Sequence, residues 1–142
     1  MRSLLTLMSL LGAGLLAATG GAAAQSGDDP PTVVASEYAY AGVEPEQPKG
    51  TARFAFRNAG KETHEAILLR INPGHTLKEA LDAQLEGKAA KVLGFTYAAP
   101  GKRGKTIRAK LTTGRYAFIC MIPDRKKRPH HSLGQIARFR VR

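Results

Sequence analysis

The side chains best suited to bind a metal ion are concentrated near the end of the chain, in the stretch CMIPDRKKRPHHSLGQ. This stretch begins with Cys120, the only cysteine of the protein, and it contains His130, His131 and Gln135. A thiolate, an imidazole and an amide oxygen could therefore meet within one loop. A more distant candidate ligand is His64, which lies in the first half of the chain.

A thiolate with two imidazoles and a weak axial ligand is the donor set of blue-copper electron-transfer sites. The soft sulfur and the two borderline nitrogens stabilise both oxidation states of copper, so little rearrangement accompanies electron transfer. A simpler interpretation stays open for each residue. Cys120 could be a small buried apolar residue, and His64 could lie in a surface turn. We expect His75 to be an exposed loop residue outside the site.

The first residues predict export. An arginine at position 2, an apolar run and a trio of small residues at 22–24 are typical of a signal peptide over residues 1–24. The apolar run is shorter than the roughly 20 residues that a membrane-spanning helix needs, so we expect no stable membrane insertion after cleavage. Residues 25–31 then form a disordered lead-in, and residues 32–142 form one domain. A single cysteine in an exported chain indicates a specific use for its thiol.

The formal net charge is +11, and the predicted signal peptide contributes only Arg2 to it. Such a basic protein attracts acidic partners over a long range. We predict no nucleic-acid binding, because no motif with interleaved aromatic residues is present. The densest charge run, RKKR at 125–128, is either a solvated loop or a basic lip that docks an acidic redox partner.

Short strands, frequent turns and a single helix predict an all-β protein, an antiparallel β-sandwich with one short helix insertion. The helix is predicted to begin after a capping box at Thr76 and Glu79 and to end by Gly87. β-branched residues, aromatic residues and alternating apolar positions predict the strands. These strands are 32–40, 51–58, 65–71, 105–111, 115–122 and 136–142.

Three motifs in this order resemble the cupredoxins, the type 1 (blue) copper proteins of the plastocyanin and azurin kind. The first is Asn58-Ala59-Gly60 followed by His64-Glu65, and the second is GRYAFIC, which ends at Cys120. The third runs from Pro129-His130 through Gly134-Gln135 into the last strand. The resemblance covers nearly all of residues 32–142 and implies the Greek-key sandwich of that family.

The resemblance implies copper as the cofactor, held by His64, Cys120, His130 and Gln135. His131 remains an alternative to His130, since it fits the azurin-like spacing to Gln135. The sequence departs from the family pattern in two ways. Nine residues separate Cys120 from His130, and glutamine stands where methionine is usual. The glutamine implies either a lowered reduction potential or a site that has lost its affinity for copper.

The sequence therefore predicts a small copper protein that carries single electrons in the periplasm or outside the cell. We expect a monomer with a redox partner protein and no enzymatic activity, since no catalytic constellation stands out. The resemblance implies that electrons leave through His130, near the surface. Two alternatives stay open: a periplasmic copper-binding protein or chaperone, and a metal-free binding module. Glu65 could support His64 by a hydrogen bond or lie on the surface.

Overall fold

A computed structural model describes residues 29–142 of the chain. The predicted signal peptide and most of the predicted lead-in at 25–31 lie outside the described residues. The strands are β1 (Thr32–Ser36), β2 (Ala39–Ala41), β3 (Glu46–Gln47), β4 (Gly50–Asn58), β5 (His64–Ile71), β6 (Ala90–Ala98), β7 (Arg103–Leu111), β8 (Gly114–Ile119) and β9 (Ile136–Val141). The helix α1 spans Leu77–Asp82, and a short 3-10 helix spans His130–Leu133.

The strands form two sheets that pack as a sandwich, with the predicted short helix outside them. The smaller sheet has the order β2-β1-β4-β7, and the larger has the order β3-β9-β8-β5-β6. Most neighbouring strands are antiparallel, while β1 with β4 and β3 with β9 are parallel. The described residues contain no helix with the length and apolar character needed to span a bilayer.

Alternating side chains of the two sheets form the core between them. Phe54 and Phe56 of β4 meet Phe118 of β8 and Phe139 of β9, all nearly inaccessible to solvent. The Phe54 and Phe118 rings pack edge to face, with centroids 5.1 Å apart, which is a favourable aromatic geometry. A smaller apolar cluster covers the outer face of the larger sheet, where Leu77 of α1 packs on β5 and β8.

The structure differs from the sequence prediction mainly in five elements. The predicted strand 32–40 is two strands, because the chain turns at Glu37 and Tyr38. The helix has the predicted capping box at Thr76 and Glu79 but ends at Asp82, well before Gly87. The strand that leads to the cysteine ends at Ile119. Strands β3 and β6 were not predicted, since their mixed polar and exposed residues lack a regular alternation.

We predict that Phe118→Ala lowers the free energy of unfolding by about 3–5 kcal/mol, because it removes a fully buried ring from the centre of the sandwich. The matched control is Phe95→Ala, whose ring is 66% exposed, and it should change the value by about 0.5 kcal/mol or less. Urea denaturation followed by circular dichroism measures both. Equal losses in the two variants would contradict the described core.

Candidate metal centre

The topology brings four of the predicted donor residues to one end of the larger sheet. His64 is the first residue of β5, Cys120 directly follows β8, and Gln135 directly precedes β9. Because β8 runs antiparallel to both of its neighbours, its end lies beside the starts of β5 and β9. The loop between β8 and β9 adds His130, the first residue of the 3-10 helix.

The donor atoms converge within a closed space. Ligand atoms of His64, Cys120 and His130 all lie within 4.8 Å of one another. The Cys120 Sγ lies 3.4 Å from Nδ1 of His130, and Nδ1 of His64 lies 2.9 Å from Oε1 of Gln135. All four residues have no solvent-accessible surface. Such a group could hold a metal ion shielded from water.

The other two histidines lie outside this group. The main chain of His131 donates a hydrogen bond to the carbonyl of Cys120, but its ring is not part of the converging set. His75 lies before the helix, where Nδ1 is 3.0 Å from a carboxylate oxygen of Glu79. The sequence left His130 and His131 open as alternative ligands, and the structure places the ring of His130 beside the thiol.

A glutamate lies against the outer nitrogen of each converging histidine. Oε1 of Glu37 is 3.1 Å from Nε2 of His64, and Oε2 of Glu62 is 2.9 Å from Nε2 of His130. Carboxylates in this position fix the orientation of a metal-binding ring and increase its basicity. Glu65 does not have this role, because its carboxylate accepts a hydrogen bond from the main chain of Met121.

The hydrogen bonds to Glu37 keep this carboxylate ionised. Burial raises the pKa of Glu37, but hydrogen bonds from the N–H groups of Glu62 and Lys61 and from the His64 ring outweigh burial and lower the pKa to about 2. Nε2 of His64 therefore faces a charged acceptor and is best matched as a donor. Its Nδ1 then presents a lone pair toward the centre.

Gln135 is oriented so that its oxygen also faces the centre. Its amide nitrogen donates to the main-chain carbonyls of Ser36 at 3.2 Å and Ala39 at 3.5 Å, which leaves Oε1 beside Nδ1 of His64. A ring nitrogen and an amide oxygen, both of which can bind a metal ion, thus lie 2.9 Å apart. A shared cation stabilises such an arrangement, so the residues present fit a metal ion.

The thiol of Cys120 is buried and held by the main chain. The N–H of Glu65 donates to Sγ at 3.5 Å. Burial raises the pKa of the thiol, and hydrogen bonds from the main chain of Glu65 and Ile122 reduce this effect, so the pKa is about 11. At neutral pH a metal ion that binds here must displace the proton of this thiol.

The turn before β5 is built around the side chain of Asn58, which is fully buried. Its amide nitrogen donates to the carbonyls of Glu62 and Ala98, and its oxygen accepts from the N–H of Gly60. A Cβ at Gly60 would clash with Oε1 of Glu37 and lie 2.8 Å from Nε2 of His64, so a side chain there would displace the carboxylate from the ring. The Asn-x-Gly motif thus positions both the histidine and its carboxylate.

The loop between Cys120 and His130 contains a small hairpin of its own. Pro123 and Pro129 form an isolated bridge, and Asp124 pairs with Arg128 at 2.7 Å. The basic residues of the run 125–128 therefore lie on this hairpin, with Arg128 already paired. Cys120 and His130 can be in contact although nine residues separate them, because the residues between them form this hairpin.

His130, which was expected near the surface as the exit path for electrons, is itself buried. It has no accessible surface, because Tyr38 covers it with a ring-centroid separation of 4.9 Å and Glu62 covers its outer nitrogen. No sequence motif indicated that Tyr38 and Glu62 cover this ring. Tyr38 and Glu37 lie in the turn between β1 and β2, a region predicted as strand.

A sandwich of these two sheets with a buried His–Cys–His group at one end is the cupredoxin fold. The structure is similar to a dithionite-reduced auracyanin from Roseiflexus castenholzii, with a TM-score of 0.55 and 21% identity over 78% of this chain and 94% of that chain. It is also similar to auracyanin A, a "blue" copper protein from Chloroflexus aurantiacus, with a TM-score of 0.54 and 18% identity over 80% and 100% of the two chains.

Rusticyanin from Thiobacillus ferrooxidans is another similar structure, with a TM-score of 0.50 and 17% identity over 78% of this chain and 76% of that chain. No protein-family profile matches the sequence, and no curated protein matches it. At these identities the similarity shows the fold. The predicted resemblance to the cupredoxins and the predicted sandwich are confirmed at that level.

We predict that Glu37→Gln and Glu62→Gln each lower the affinity of the protein for Co(II) about tenfold or more, because each removes a negative charge from a histidine of the metal centre. Optical titration with Co(II) measures the affinity. The matched control is Glu86→Gln, an exposed residue of the segment after the helix, which should leave the affinity unchanged. An equal loss in all three variants would contradict a specific role for the two carboxylates.

Proposed function

We propose that the protein is a small exported copper protein that carries single electrons through a type 1 copper site. The observation that carries this proposal is the convergence of His64, Cys120 and His130 within 4.8 Å in a space closed to water. One thiolate and two imidazoles form the set that type 1 copper uses. Auracyanin A and rusticyanin, which have a similar fold, are copper proteins.

In this proposal Nδ1 of His64, Sγ of Cys120 and Nδ1 of His130 would hold the copper ion, and Oε1 of Gln135 would be a further, weaker donor. Copper held there would supply one-electron chemistry between Cu(I) and Cu(II). The residues of the chain contribute a fixed geometry. Hydrogen bonds to Glu37 and Glu62 orient the rings, so little reorganisation accompanies a change of charge.

The closed geometry favours an electron carrier over the two alternatives. A protein that delivers copper must expose a ligand to its partner, whereas all four proposed ligands are inaccessible to solvent. A metal-free module has no need for two imidazoles and a thiol that converge in a space closed to water, as those of His64, His130 and Cys120 do. Export and a periplasmic or secreted location rest on the sequence of residues 1–24, and a monomeric state is part of the same proposal.

The test is titration of the mature chain with Cu(II), followed by visible absorption and electron paramagnetic resonance. We predict an intense visible band and the narrow copper hyperfine splitting of a type 1 site, both lost in Cys120→Ser. The matched control is His131→Ala, which should retain both signals, since the ring of His131 lies outside the donor group. Absence of the band at saturating copper would reject the proposal, and loss of it in His131→Ala alone would reject the ligand assignment.

We predict that Gln135→Met raises the reduction potential of the copper-loaded protein. The amide oxygen is a harder donor than a thioether and favours Cu(II), so its replacement shifts the preference toward Cu(I). A tenfold change in relative affinity corresponds to about 59 mV for one electron, and we expect a rise of at least this size. Redox titration measures it, with Gln47→Met, an exchange outside the site, as the control.

A further inference from the structure

The smaller sheet carries positive charge and no negative charge. None of its four strands, β1, β2, β4 and β7, contains an aspartate or a glutamate. Two of these strands, β4 and β7, carry six arginine and lysine residues, and all six are exposed. We call these residues the basic sheet face: Arg53, Arg57, Arg103, Lys105, Arg108 and Lys110.

Five of these side chains lie on the outer face of the sheet by the register of its strands. On β4, two phenylalanines of the core alternate with Arg53 and Arg57, so the arginines point away from the core. Arg108 and Arg103 are directly opposite Arg53 and Arg57 across the ladder between β4 and β7, and ladder partners share a face. Lys110 lies two residues after Arg108 on β7 and faces the same way. The remaining lysine lies in β7 where the register shifts, and it is also exposed.

The protein does not neutralise these charges itself. None of the six residues takes part in the ion pairs of positions 29–142. Asp29 lines a surface depression together with Arg53, but the two form no ion pair. Like charges directly opposite each other destabilise a sheet, and the ladder contains two such arginine pairs. The fold therefore retains a repulsion that a negatively charged partner would remove.

The cations are spread along the sheet. The pair Arg53–Arg108 and the pair Arg57–Arg103 are four residues apart on β4, which corresponds to about 13 Å. A site for one small anion would bring the cations together around it. The neutral outward residues of the four strands are alanine, serine, threonine, glycine and one valine, so the face has no aromatic anchor. Specific protein interfaces have an apolar core rich in aromatic residues, which this face lacks.

Two other basic regions of the described residues contain carboxylates. On the loop hairpin, Arg128 pairs with Asp124. On the outer side of the larger sheet, Arg142 pairs with Glu46, and Arg138 lines the same depression. The basic sheet face differs from both because its strands carry no carboxylate at all.

We propose that the basic sheet face binds the surface of a membrane that contains anionic lipids. Clusters of about four to eight lysine and arginine residues bind anionic headgroups without a pocket or an apolar anchor, and the six cations fit this description. The protein stays outside the bilayer, held by charge. The candidate metal centre is built at one end of the larger sheet, so it is not part of the contact. This membrane attachment goes beyond the proposed copper function and does not depend on it.

The test measures by co-sedimentation how the metal-free mature chain binds to lipid vesicles. One set of vesicles contains equal parts of phosphatidylcholine and phosphatidylglycerol, and the other contains phosphatidylcholine alone. The salt concentration is about 0.1 M, at which charges more than about 10 Å from the lipid are largely screened. We expect binding to the first set, loss of this binding as salt is added, and no binding to the second set. Copper-loaded protein should behave in the same way.

Arg108→Gln and Lys110→Gln each remove one charge from the basic sheet face. Each should weaken vesicle binding about fivefold, the usual contribution of one cation near an anionic bilayer. The double variant Arg53→Gln/Arg108→Gln should weaken it about twentyfold or more. The matched controls Lys126→Gln and Arg138→Gln remove the same charge from the other basic regions and should change binding less than about twofold.

A stability measurement separates loss of lipid contact from loss of folding. In urea without vesicles, Arg53→Gln/Arg108→Gln should unfold at the same or a higher concentration than the unmodified chain, because it removes a like-charge pair from the ladder. A lower urea midpoint would contradict the repulsion on which the proposal rests.

The proposal is wrong if the two control variants weaken binding as much as the variants of the basic sheet face, since net charge alone then drives adsorption. It is also wrong if vesicles of phosphatidylcholine alone bind the protein equally well. Tighter binding to poly-glutamate than to the anionic vesicles, weakened by the same variants, would show that the partner is an acidic polypeptide and not a membrane. A failure to bind copper leaves the measurement with the metal-free chain unaffected.

Discussion

The hydrogen bonds of one buried amide, that of Asn58, hold together the parts of the chain that meet at the metal centre. Its side chain joins the turn before β5 to the end of β6 and keeps the carbonyl of Glu62 in place. With the turn held in this way, the carboxylate of Glu62 lies against His130 and the ring of His64 lies near the thiol of Cys120. Buried polar groups are generally hydrogen-bonded, so the three hydrogen bonds of Asn58 stabilise this conformation of the turn.

A second chain of polar contacts crosses the sandwich from the other sheet. The carboxylate of Glu37 accepts from the main chain of Lys61 and Glu62 and lies against His64, while the amide of Gln135 donates to Ser36 and Ala39. The turn between β1 and β2 and the residues that flank it therefore orient two of the donor residues, His64 at the start of β5 and Gln135 before β9. Each donor atom is oriented by partners that are present before any ion binds, which is what preorganisation requires.

The sequence predicted the parts of the site that local patterns encode. Gly60, His64 and Cys120 stand in motifs whose spacing follows from a turn and a strand, and the capping box of the helix was visible for the same reason. Glu37 was not predictable, because its contact with His64 depends on how two sheets pack. The choice of His130 over His131 also needed the structure, since both share one helical turn. Strand β6 was missed because its exposed residues are apolar, so that its sequence lacks a regular alternation of polar and apolar residues.

The hairpin closed by Pro123 and Pro129 has a consequence for how this chain can vary. The N–H of His130 donates to the carbonyl of Ile122, and the N–H of His131 donates to that of Cys120. These hydrogen bonds hold Cys120 and His130 on the side of the bridge that is closer to the donor atoms. Residues 125–127 project beyond the bridge. Insertions, deletions or grafted sequences at that tip can therefore change the length and charge of the surface without altering the arrangement of the donor atoms beneath it.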